Sequence, residues 1–539
     1  METVLDFLDF DKNENSFIIE GYHLLSGNEK ATAEPCLVVN DKQVPCEKIK
    51  RSDKVTVSCE KEVSQRIGFR AAFAADDDKI TIRPSVKKGG IVVESAKFHY
   101  GKYFPVSDVY RYGYANIGRY IATIENQKII LSKRQGRIKE FVRERRFLCE
   151  AWKRNRNNSR KAVVYRLLYR FAKLFKYRKL WIISDFVSRA DDNGEALFQY
   201  LQTHKPRRTI VVFAIRKDST DYHRLSKTGH CVDVTSFRFK MLFLLCDVNI
   251  SSHADQWYYY GHLEETRDIH ARTKYVFLQH GITENSVSEY LSRYKINISG
   301  FVTAALPEYD SIKEEAYGYR KGEVWLTGFP RFDRLFHAEK KCITIMPTWR
   351  KNLVENWSAE KGTWDLKTGF EEQEFYKFYD ALINSDRLLR DLQQLGYRLQ
   401  FFPHPIINPY IDKFHHDPRV TFLPITETTY RDVFATSDLM VTDYSSAILD
   451  FAYLRKPLFF CQFDYEKFYS DHYQKGYHDF EKDGFGEVVY DLDHTIDLII
   501  EYAKGGCVLK DKYRERIDAF FAFNDQNNCQ RVVDKINSL

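Results

Sequence analysis

The stretch "DLMVTDYSSAILDFAYL", residues 438–454, decides the fold class of this chain. Its apolar residues 439–442 have the character of a buried strand, which runs directly into Asp443. Two serines, Ser445 and Ser446, then open a segment with the apolar spacing of an amphipathic helix. A buried strand, a short polar turn and a helix in this order are typical of parallel α/β architecture.

The same alternation of apolar strands and longer helical segments extends on both sides of this stretch, from about residue 180 onward. A first group of strands is predicted at residues 180–184, 209–215, 248–252, 275–279 and 301–305. A second group is predicted at residues 342–347, 397–402, 420–424, 439–443 and 457–461. We interpret "TGFPRFDRLF" (327–336) as the connection between the groups. Two such units with a cleft between them predict a two-domain nucleotide-binding enzyme.

Residues 1–130 have a different pattern, in which short β-type runs alternate with turn residues. Examples are "SFIIEGYHLL" (16–25), "KVTVSCE" (54–60) and "KITIRP" (79–84). The pattern predicts a small β-rich accessory domain ahead of the α/β part.

The overall composition is that of a multidomain globular protein. A chain of 539 residues is too long for one core, and 44% hydrophobic residues are ample for packed interiors. No apolar stretch reaches the ~18 residues of a membrane-spanning helix, and the first residues are acidic where a signal peptide would be basic, so we expect a cytoplasmic protein. The ten cysteines are scattered without a CxxC pair, which indicates neither a disulfide framework nor a structural zinc site.

The net charge of +7 is unevenly distributed. Residues 131–180 carry 18 Lys or Arg against 3 Glu, which leaves the rest of the chain at −8. In "VVYRLLYRFAKLFKYRKL" (163–180), one helical stripe is basic and another is apolar. The basic stripe holds Arg166, Arg170 and Lys173, and the apolar stripe holds Val164, Leu167, Leu168, Phe171 and Leu174. Such a helix either lies on an anionic bilayer surface or is a linker that packs on the core with its charges in water.

Several predicted strands end in polar residues, and ligands of parallel sheets meet the loops at these strand ends. The candidates are Asp192, Asn193 and Glu195 in the first loop, His253 and Asp255 in another, His280, then Thr348 and Arg350, and His404. Each residue alone is more often an ordinary strand-end residue than a catalyst. A shared cleft explains all five strand ends together, whereas structural roles would need a separate reason for each.

The turn of the opening stretch is a candidate phosphate site. Ser445 or Ser446 can cap the following helix, whose free N–H groups and dipole favour an anion, and Asp443 at the rim can hold a ribose hydroxyl. The alternative is an ordinary serine cap. The sequence has neither GxGxxG nor GxxxxGK[ST], so dinucleotide redox chemistry and a P-loop are poorly supported. No carboxylate cluster has metal-ligand spacing, and we expect neither a metal nor another cofactor.

Taken in order, several motifs resemble those of the CDP-glycerol glycerophosphotransferases, which make teichoic acids and related capsule polymers. The motifs are "DNGEALFQYL", "ISSHAD", "QHGIT", "TGFPRFDRL", "MPTWR" and "VTDYSSAILDFAYLRKPLFF", spread over residues 180–535. The resemblance implies a GT-B type fold with two Rossmann-like domains. It also implies transfer of glycerol phosphate, or ribitol phosphate in close relatives, from a CDP-alditol to a polymer hydroxyl with release of CMP.

Roles for individual residues follow from the same resemblance. His280 matches the family's catalytic histidine on the acceptor side, and His404 matches the histidine of its His-Pro motif beside the donor. Arg350 matches the arginine of its Thr-x-Arg segment, which begins at Thr348. Asp443, Ser445 and Ser446 match its pyrophosphate loop. The acceptor-side candidates remain Asp192, Asn193, Glu195, His253 and Asp255.

The sequence departs from the family pattern at Phe402, where the family tends to have a basic residue two positions before the His-Pro histidine. One donor phosphate contact, and with it the choice between CDP-glycerol and CDP-ribitol, is therefore open. A nucleotide-sugar glycosyltransferase and a non-catalytic anionic-polymer-binding protein remain the alternatives.

The sequence also predicts domain limits and partners. We expect a β-rich domain at 1–130, a basic helical linker at 131–178, an acceptor domain at 179–336 and a donor domain at 337–539. The expected partners are the CDP-alditol, a lipid-linked or polymeric acceptor and an anionic membrane surface on the inner face of the cell membrane, with no nucleic acid.

Overall fold

The structure is a computed structural model of the 539-residue chain. It describes residues 2–25, 33–51, 65–95, 97–155, 159–254, 264–283, 287–338, 340–358, 363–445, 448–471 and 479–539. The predicted strand "KVTVSCE" (54–60) and two candidate site residues, Asp255 and Ser446, lie outside the described residues.

The first part of the chain consists of two β-sheets packed face to face. Its strands are β1 (Glu2–Asp11), β2 (Ser16–Leu25), β3 (Ala33–Val39), β4 (Lys42–Pro45), β5 (Glu47–Ile49), β6 (Gln65–Ala74), β7 (Lys79–Lys88), β8 (Ile91–Glu94), β9 (Lys97–Tyr100), β10 (Tyr114–Ile117), β11 (Tyr120–Glu125) and β12 (Lys128–Lys133). One sheet has the order β5-β6-β2-β1-β9, and the other has β10-β11-β12-β7-β3-β4 with β8 beside β7. Alternate side chains such as Leu5, Phe17, Leu37 and Leu131 form a common buried core, so the predicted β-rich N-terminal part is confirmed.

Two helices follow, α1 (Arg137–Arg154) and α2 (Ser159–Leu174), and pack against each other as a helical hairpin. Two residues of the predicted basic stripe of α2, Arg166 and Arg170, face the protein, and the third, Lys173, is exposed. Arg166 is 1% exposed, donates to Glu144 and Asp268 and to the carbonyl of Glu265, and Arg170 also pairs with Glu144.

The apolar stripe of α2 faces outward instead. Phe171 is 65% exposed and Leu174 is 80% exposed, and Ile138 and Phe141 on α1 are also exposed. The helix does pack on the α/β part, as the linker interpretation predicted, but its Arg166 and Arg170 are not in water, because Glu144 on α1 and Asp268 on the α/β part hold the guanidinium groups.

The second part of the chain is a parallel α/β unit. Its strands are β13 (Lys179–Ser184), β14 (Thr209–Ala214), β15 (Cys231–Val232), β16 (Val248–Ser251), β17 (Lys274–Phe277), β18 (Gly300–Thr303) and β19 (Val324–Leu326), and its helices are α3 (Asn193–Thr203), α4 (Thr220–Ser226), α5 (Phe237–Leu245), α6 (Arg267–His270), α7 (Ser288–Leu291) and α8 (Leu306–Ile312). The strand order is β15-β14-β13-β16-β17-β18-β19, with parallel pairing throughout. Strands are added toward one edge of the sheet from β13 to β15 and toward the other edge from β16 to β19. This switch in strand order, between β13 and β16, opens a crevice at the carboxyl ends of these two strands.

The third part is a second parallel α/β unit. Its strands are β20 (Cys342–Ile345), β21 (Val354–Ser358), β22 (Thr363–Leu366), β23 (Arg398–Phe401), β24 (Val420–Phe422), β25 (Leu439–Thr442), β26 (Leu458–Cys461) and β27 (Val488–Val489), and its helices are α9 (Glu374–Ile383), α10 (Asp386–Leu395), α11 (Tyr430–Thr436), α12 (Ile448–Tyr453), α13 (Tyr465–Asp471) and α14 (Leu492–Lys504). The sheet order is β24-β23-β20-β25-β26-β27, and β21 and β22 form a separate antiparallel pair. The mixed α/β architecture predicted from the opening stretch is confirmed, and β25 and α12 are its strand and helix.

The last helices, α15 (Asp511–Phe520) and α16 (Asn528–Asn537), pack back onto the first α/β unit. Asp333, in the 3-10 helix Pro330–Arg334, accepts hydrogen bonds from the backbone N–H groups of Asn528 and Cys529. The segment predicted as a simple connection therefore also anchors α16.

A buried ion cluster joins the β-rich part to the first α/β unit. Glu20 on β2 is fully buried and pairs with Arg293 and Arg320 from the α/β unit and with Arg70 on β6. Burial opposes ionisation of this carboxyl, but the three arginines together lower the pKa of Glu20 to about 2. Within the described residues, no helix is both long and apolar enough to cross a bilayer.

Candidate active site

The carboxyl ends of both parallel sheets line one large cavity, with a volume of about 1010 Å³. Six of the sequence-predicted candidates are among its lining residues. They are Asp192, His253 and His280 from the first α/β unit, and Thr348, His404 and Ser445 from the second. The structure therefore brings together polar strand ends that lie up to 253 positions apart in the sequence.

Two histidines lie against each other on the first side of this cavity. The rings of His253 and His280 are stacked, with centroids 4.9 Å apart and planes 5° apart. Nε2 of His253 is 4.0 Å from a carboxylate oxygen of Asp192, and Phe186 contacts the His253 ring in an edge-to-face arrangement, with centroids 5.3 Å apart. A carboxylate, two imidazoles and an aromatic ring thus form one continuous group at the cavity wall.

Gln279 and Asn193 fix the backbone that carries His280. Gln279 has a left-handed φ of 59°, which is uncommon outside glycine, and its buried amide donates to the carbonyl of Val302 and to Glu308. The side-chain amide of Asn193 donates to the carbonyl of Gln279. The following Gly281 has open space where a Cβ would stand. The positive-φ position in this loop is therefore Gln279 and not the glycine.

Two buried carboxyl groups, which sequence reasoning missed, hold the backbone of the loops that carry Asp192 and His280. Asp185 accepts hydrogen bonds from the backbone N–H groups of Asp192, Gly194 and Glu195, and Glu308 accepts from that of Thr283. Burial, together with the nearby Asp192 carboxylate, raises the pKa of Asp185 to about 7, and burial raises that of Glu308 to about 7. Asp185 directly follows a predicted strand, which was the available signal.

On the second side of the cavity, His404 is held in a fixed orientation. Its Nδ1 accepts a hydrogen bond from the backbone N–H of Ile406, and its own backbone N–H donates to the carbonyl of Pro347. In the neutral ring the proton is therefore on Nε2, the other nitrogen. The ring lies 6.2 Å from that of Trp349, which also lines the cavity.

Arg350 and Asp443 do not lie where the sequence predicted them. The Arg350 guanidinium is buried between two carboxylates, 2.9 Å from Asp443 and 2.7 Å from Asp464. Asp443 is fully buried, not at the rim, and accepts hydrogen bonds from the backbone N–H of Thr348 and from the hydroxyl of Tyr379. The two side chains can be buried beneath the backbone of Thr348, because the charge of each neutralises that of the other.

Two acceptor-side candidates are also buried. Glu195 is fully buried, pairs with Arg224, and accepts a hydrogen bond from the backbone N–H of Asp191. Asn193 is fully buried and bridges loops through its amide. Both positions organise the start of α3, and only their neighbour Asp192 lines the cavity.

Sequence reasoning missed the arginines of the cavity wall, which are Arg189, Arg331, Arg334 and Arg431. Arg331 connects the two α/β units, since it pairs with Asp192 at 2.8 Å and with Asp450 on α12 at 2.6 Å. Among the described residues, no ion pair engages Arg189. The quoted segment "TGFPRFDRLF" contained the available signal for Arg331 and Arg334.

The fold and the cavity define a two-part α/β protein whose facing strand ends enclose a site suited to an anionic ligand. The solved structure of the wall teichoic acid polymerase TagF has a similar fold, with a TM-score of 0.53 at 17% identity, over 75% of this chain and 98% of that one. The family model described as CDP-Glycerol:Poly(glycerophosphate) glycerophosphotransferase matches residues 164–538. The chain therefore belongs to this family, as its motifs predicted.

Curated relatives come from teichoic acid synthesis. The minor teichoic acid biosynthesis protein GgaB of Bacillus subtilis (strain 168) is 34% identical over 540 residues, which cover 98% of this chain and 59% of that protein. The teichoic acid glycerol-phosphate transferase of Staphylococcus aureus (strain NCTC 8325 / PS 47) is 23% identical over 57% of this chain and 79% of its own length. This chain spans about three fifths of the length of GgaB.

Proposed function

We propose that this protein transfers glycerol phosphate from CDP-glycerol to a hydroxyl group of a growing teichoic acid or capsule-type polymer, with release of CMP. The observation that carries the proposal is the single cavity to which both α/β units contribute a histidine, His280 and His404. Family membership supports the same donor and acceptor classes. We take the two units, 179–336 and 337–539, as the acceptor and donor domains of a GT-B type fold.

The proposed reaction is a direct displacement at phosphorus. The acceptor oxygen attacks the phosphorus that carries glycerol, the bond from this phosphorus to the bridging oxygen breaks, and the electron pair leaves with CMP. His280 accepts the proton of the attacking hydroxyl. The His253 ring stacks on that of His280, and the carboxylate of Asp192 lies 4.0 Å from Nε2 of His253. This carboxylate stabilises the positive charge that the two stacked imidazoles acquire with the proton.

Negative charge on the departing CMP needs a different set of groups. His404, with Nε2 as its donor nitrogen, Thr348 and Ser445 are the donor-side candidates that line the cavity. Arg189 and Arg431 add cationic groups to the cavity wall. Arg350 and Asp443 have a supporting role in this proposal, because their buried ion pair leaves the arginine no surface toward a ligand.

The decisive experiment is a comparison of donors. The purified chain is incubated with a poly(glycerol phosphate) acceptor and with CDP-glycerol, CDP-ribitol or UDP-glucose, and release of CMP or UDP is measured. We expect the fastest release from CDP-glycerol. We also expect CDP-glycerol to raise the thermal midpoint more than UDP-glucose at equal concentration, since a ligand that binds the native state stabilises it. Faster release from UDP-glucose would overturn the donor assignment.

We further propose that the hairpin of α1 and α2 docks on an anionic membrane surface. The exposed apolar side chains of the hairpin are Ile138, Phe141, Val142, Trp152, Val164, Leu167, Leu168, Phe171 and Leu174. Exposed basic residues, among them Lys139, Arg145 and Lys161, lie between them in the sequence. An apolar face bordered by cations matches the interface of an anionic bilayer, where lipid-linked acceptors would be found.

Vesicle sedimentation tests the docking surface. The double variant Phe171→Ser/Leu174→Ser should lose most of its binding to vesicles while keeping its thermal midpoint, because both side chains are exposed. Ile91→Ser/Val508→Ser removes two apolar side chains with similar exposure elsewhere and should bind like the parent. Equal binding by both variants would contradict the docking surface.

A further inference from the structure

A second cavity lies at the opposite edge of the first parallel sheet, where the strands begin. We call it the basal cavity; its volume is about 290 Å³. Its wall is formed by the end of α2, the starts of β13, β16 and β17, and the last helix, α16. It therefore opens at the edge of the sheet away from the strand ends that carry His253 and His280.

The wall of the basal cavity is strongly cationic. Of its lining side chains, five are Lys or Arg and one, Asp247, is acidic. The five are Lys173, Lys176, Lys179, Arg272 and Lys274. Asp247 already pairs with Lys176 at 2.6 Å and accepts a hydrogen bond from the backbone N–H of Leu180. Among the described residues, no ion pair engages the other four.

Like charges gathered around one cavity repel one another unless an anion is bound between them. Lys173 donates to the hydroxyl of Tyr169, a neutral group, and Arg272 reaches a backbone carbonyl at 3.5 Å. These contacts orient the two cations without neutralising them. The arrangement is that of a site for a phosphate group, whose charge and acceptor oxygens would satisfy several of the cations together.

Exposed apolar side chains next to the cavity lysines in the sequence distinguish a lipid from a soluble anion as the ligand. Leu174, Phe175 and Tyr177 alternate in the sequence with the cavity residues Lys173 and Lys176, and the three are 66–80% exposed. A soluble phosphate would leave these side chains in water. A phospholipid would contact them with its acyl chains while its phosphate contacts the lysines.

We propose that the basal cavity binds the phosphate of one anionic phospholipid headgroup, with the lipid's acyl chains against the end of α2. The inference rests on the docking of the α1–α2 hairpin on the membrane and adds a specific lipid site to it. Such a site would fix the orientation of the molecule relative to the bilayer, because it adds a second point of contact to the apolar face of the hairpin.

The test compares vesicles of phosphatidylcholine with vesicles that also contain phosphatidylglycerol, at constant salt. The parent should prefer the anionic vesicles. Lys173→Gln/Lys274→Gln should lose about 30-fold of that preference, since each of the two basic residues contributes about 1 kcal/mol near an anionic surface. The matched control is Lys205→Gln/Arg208→Gln, which removes two cations from a separate cavity at the same sheet edge. An equal loss in both variants, or none in the first, would overturn the specific site.

Soluble probes separate the two sources of phosphate. Short-chain phosphatidylglycerol below its micelle concentration should raise the thermal midpoint of the parent but not that of Lys173→Gln/Lys274→Gln. Glycerol 1-phosphate should raise the thermal midpoint of neither protein. A rise with glycerol 1-phosphate that equals the rise with the lipid in the parent and is lost in Lys173→Gln/Lys274→Gln would mean a soluble-phosphate site and overturn the lipid assignment.

These assays use no CDP-glycerol, and a rise that persists in Lys173→Gln/Lys274→Gln would report binding in the large cavity, so the basal cavity is tested separately from the proposed transferase reaction. Failure of hairpin docking is also distinguishable, because Ile138→Ser/Phe141→Ser, two exposed positions of α1 that do not line the basal cavity, would then bind both kinds of vesicle like the parent.

Discussion

At the scale of single residues, polar side chains that follow neighbouring strands have two different roles, since some face the large cavity and others pair with each other in the interior. His253, His280 and His404 line the large cavity, whereas Arg350 and Asp443 neutralise each other beneath it. The two members of that pair are 93 positions apart, and no local pattern reveals such a partnership. The residues that sequence reasoning missed, such as Glu308, act from inside the fold, where a buried carboxyl has no signature in the sequence.

Arg350 and Arg431 should respond differently to substitution. Arg350→Leu leaves the buried carboxylates of Asp443 and Asp464 unpaired and should cost about 3–5 kcal/mol of unfolding free energy. Arg431→Gln changes a cavity-wall residue that is 30% exposed, and should change stability by less than about 0.5 kcal/mol while weakening CDP-glycerol binding about tenfold. Urea unfolding and donor titration measure both. A fully stable Arg350→Leu would refute the structural role.

Glu20 makes stability depend on pH below about 4.5. Its pKa in the folded protein is about 2, below its ordinary 4.5, so the stability it contributes is complete above pH 4.5 and is lost as the pH falls toward 2. The full contribution is about 3 kcal/mol. Urea unfolding between pH 5.5 and 3 should show a steeper loss for the parent than for Glu20→Gln. Parallel curves would contradict the lowered pKa.

At the scale of elements, the buried strands were predictable because parallel strands covered on both faces are continuous apolar runs. The ten predicted α/β strands are all present, while the short strands β15, β19 and β27, of two or three residues, were not predicted. The spacing along α2 correctly separated a basic stripe from an apolar one. It could not tell which stripe faces the protein, because the buried partners Glu144 and Asp268 lie elsewhere in the chain.

Adjacent residues on α2 test its orientation. Arg166→Gln removes a fully buried cation from two carboxylates and should cost about 3–5 kcal/mol. Leu167→Gln changes a side chain that is 51% exposed and should cost less than about 0.5 kcal/mol. Thermal and urea unfolding of both variants provide the measurement. The reverse order of stability would mean that the helix faces the other way.

At the scale of the whole molecule, the two α/β units are joined across the cavity by more than the connecting segment. Arg331 bridges Asp192 and Asp450, and Asp333 holds the start of α16, which packs on the first unit. The sequence predicted two units and a cleft, and the domain limits at 130, 178 and 336 remain predictions. The Arg331 bridge could not be predicted from the sequence, because it depends on how the two units face each other.

Arg331 should govern turnover more than donor affinity. Arg331→Lys keeps the charge but cannot make both bidentate and bridging contacts, so the two halves of the site should lose their alignment. We expect kcat to fall about 10- to 100-fold with the Kd for CDP-glycerol within about threefold. Arg387→Lys, at an exposed surface pair, is the control. Parental turnover in folded Arg331→Lys would exclude this role.

The central claim is that His280 accepts the proton of the acceptor hydroxyl in glycerol phosphate transfer. Its most direct test is CMP release by His280→Ala, together with calorimetric titration of CDP-glycerol and with the exposed His494→Ala as the control. We expect kcat to fall by about 10²- to 10⁴-fold, the donor Kd to stay within about threefold, and His494→Ala to behave like the parent. Near-parental turnover by a folded His280→Ala variant would contradict the claim.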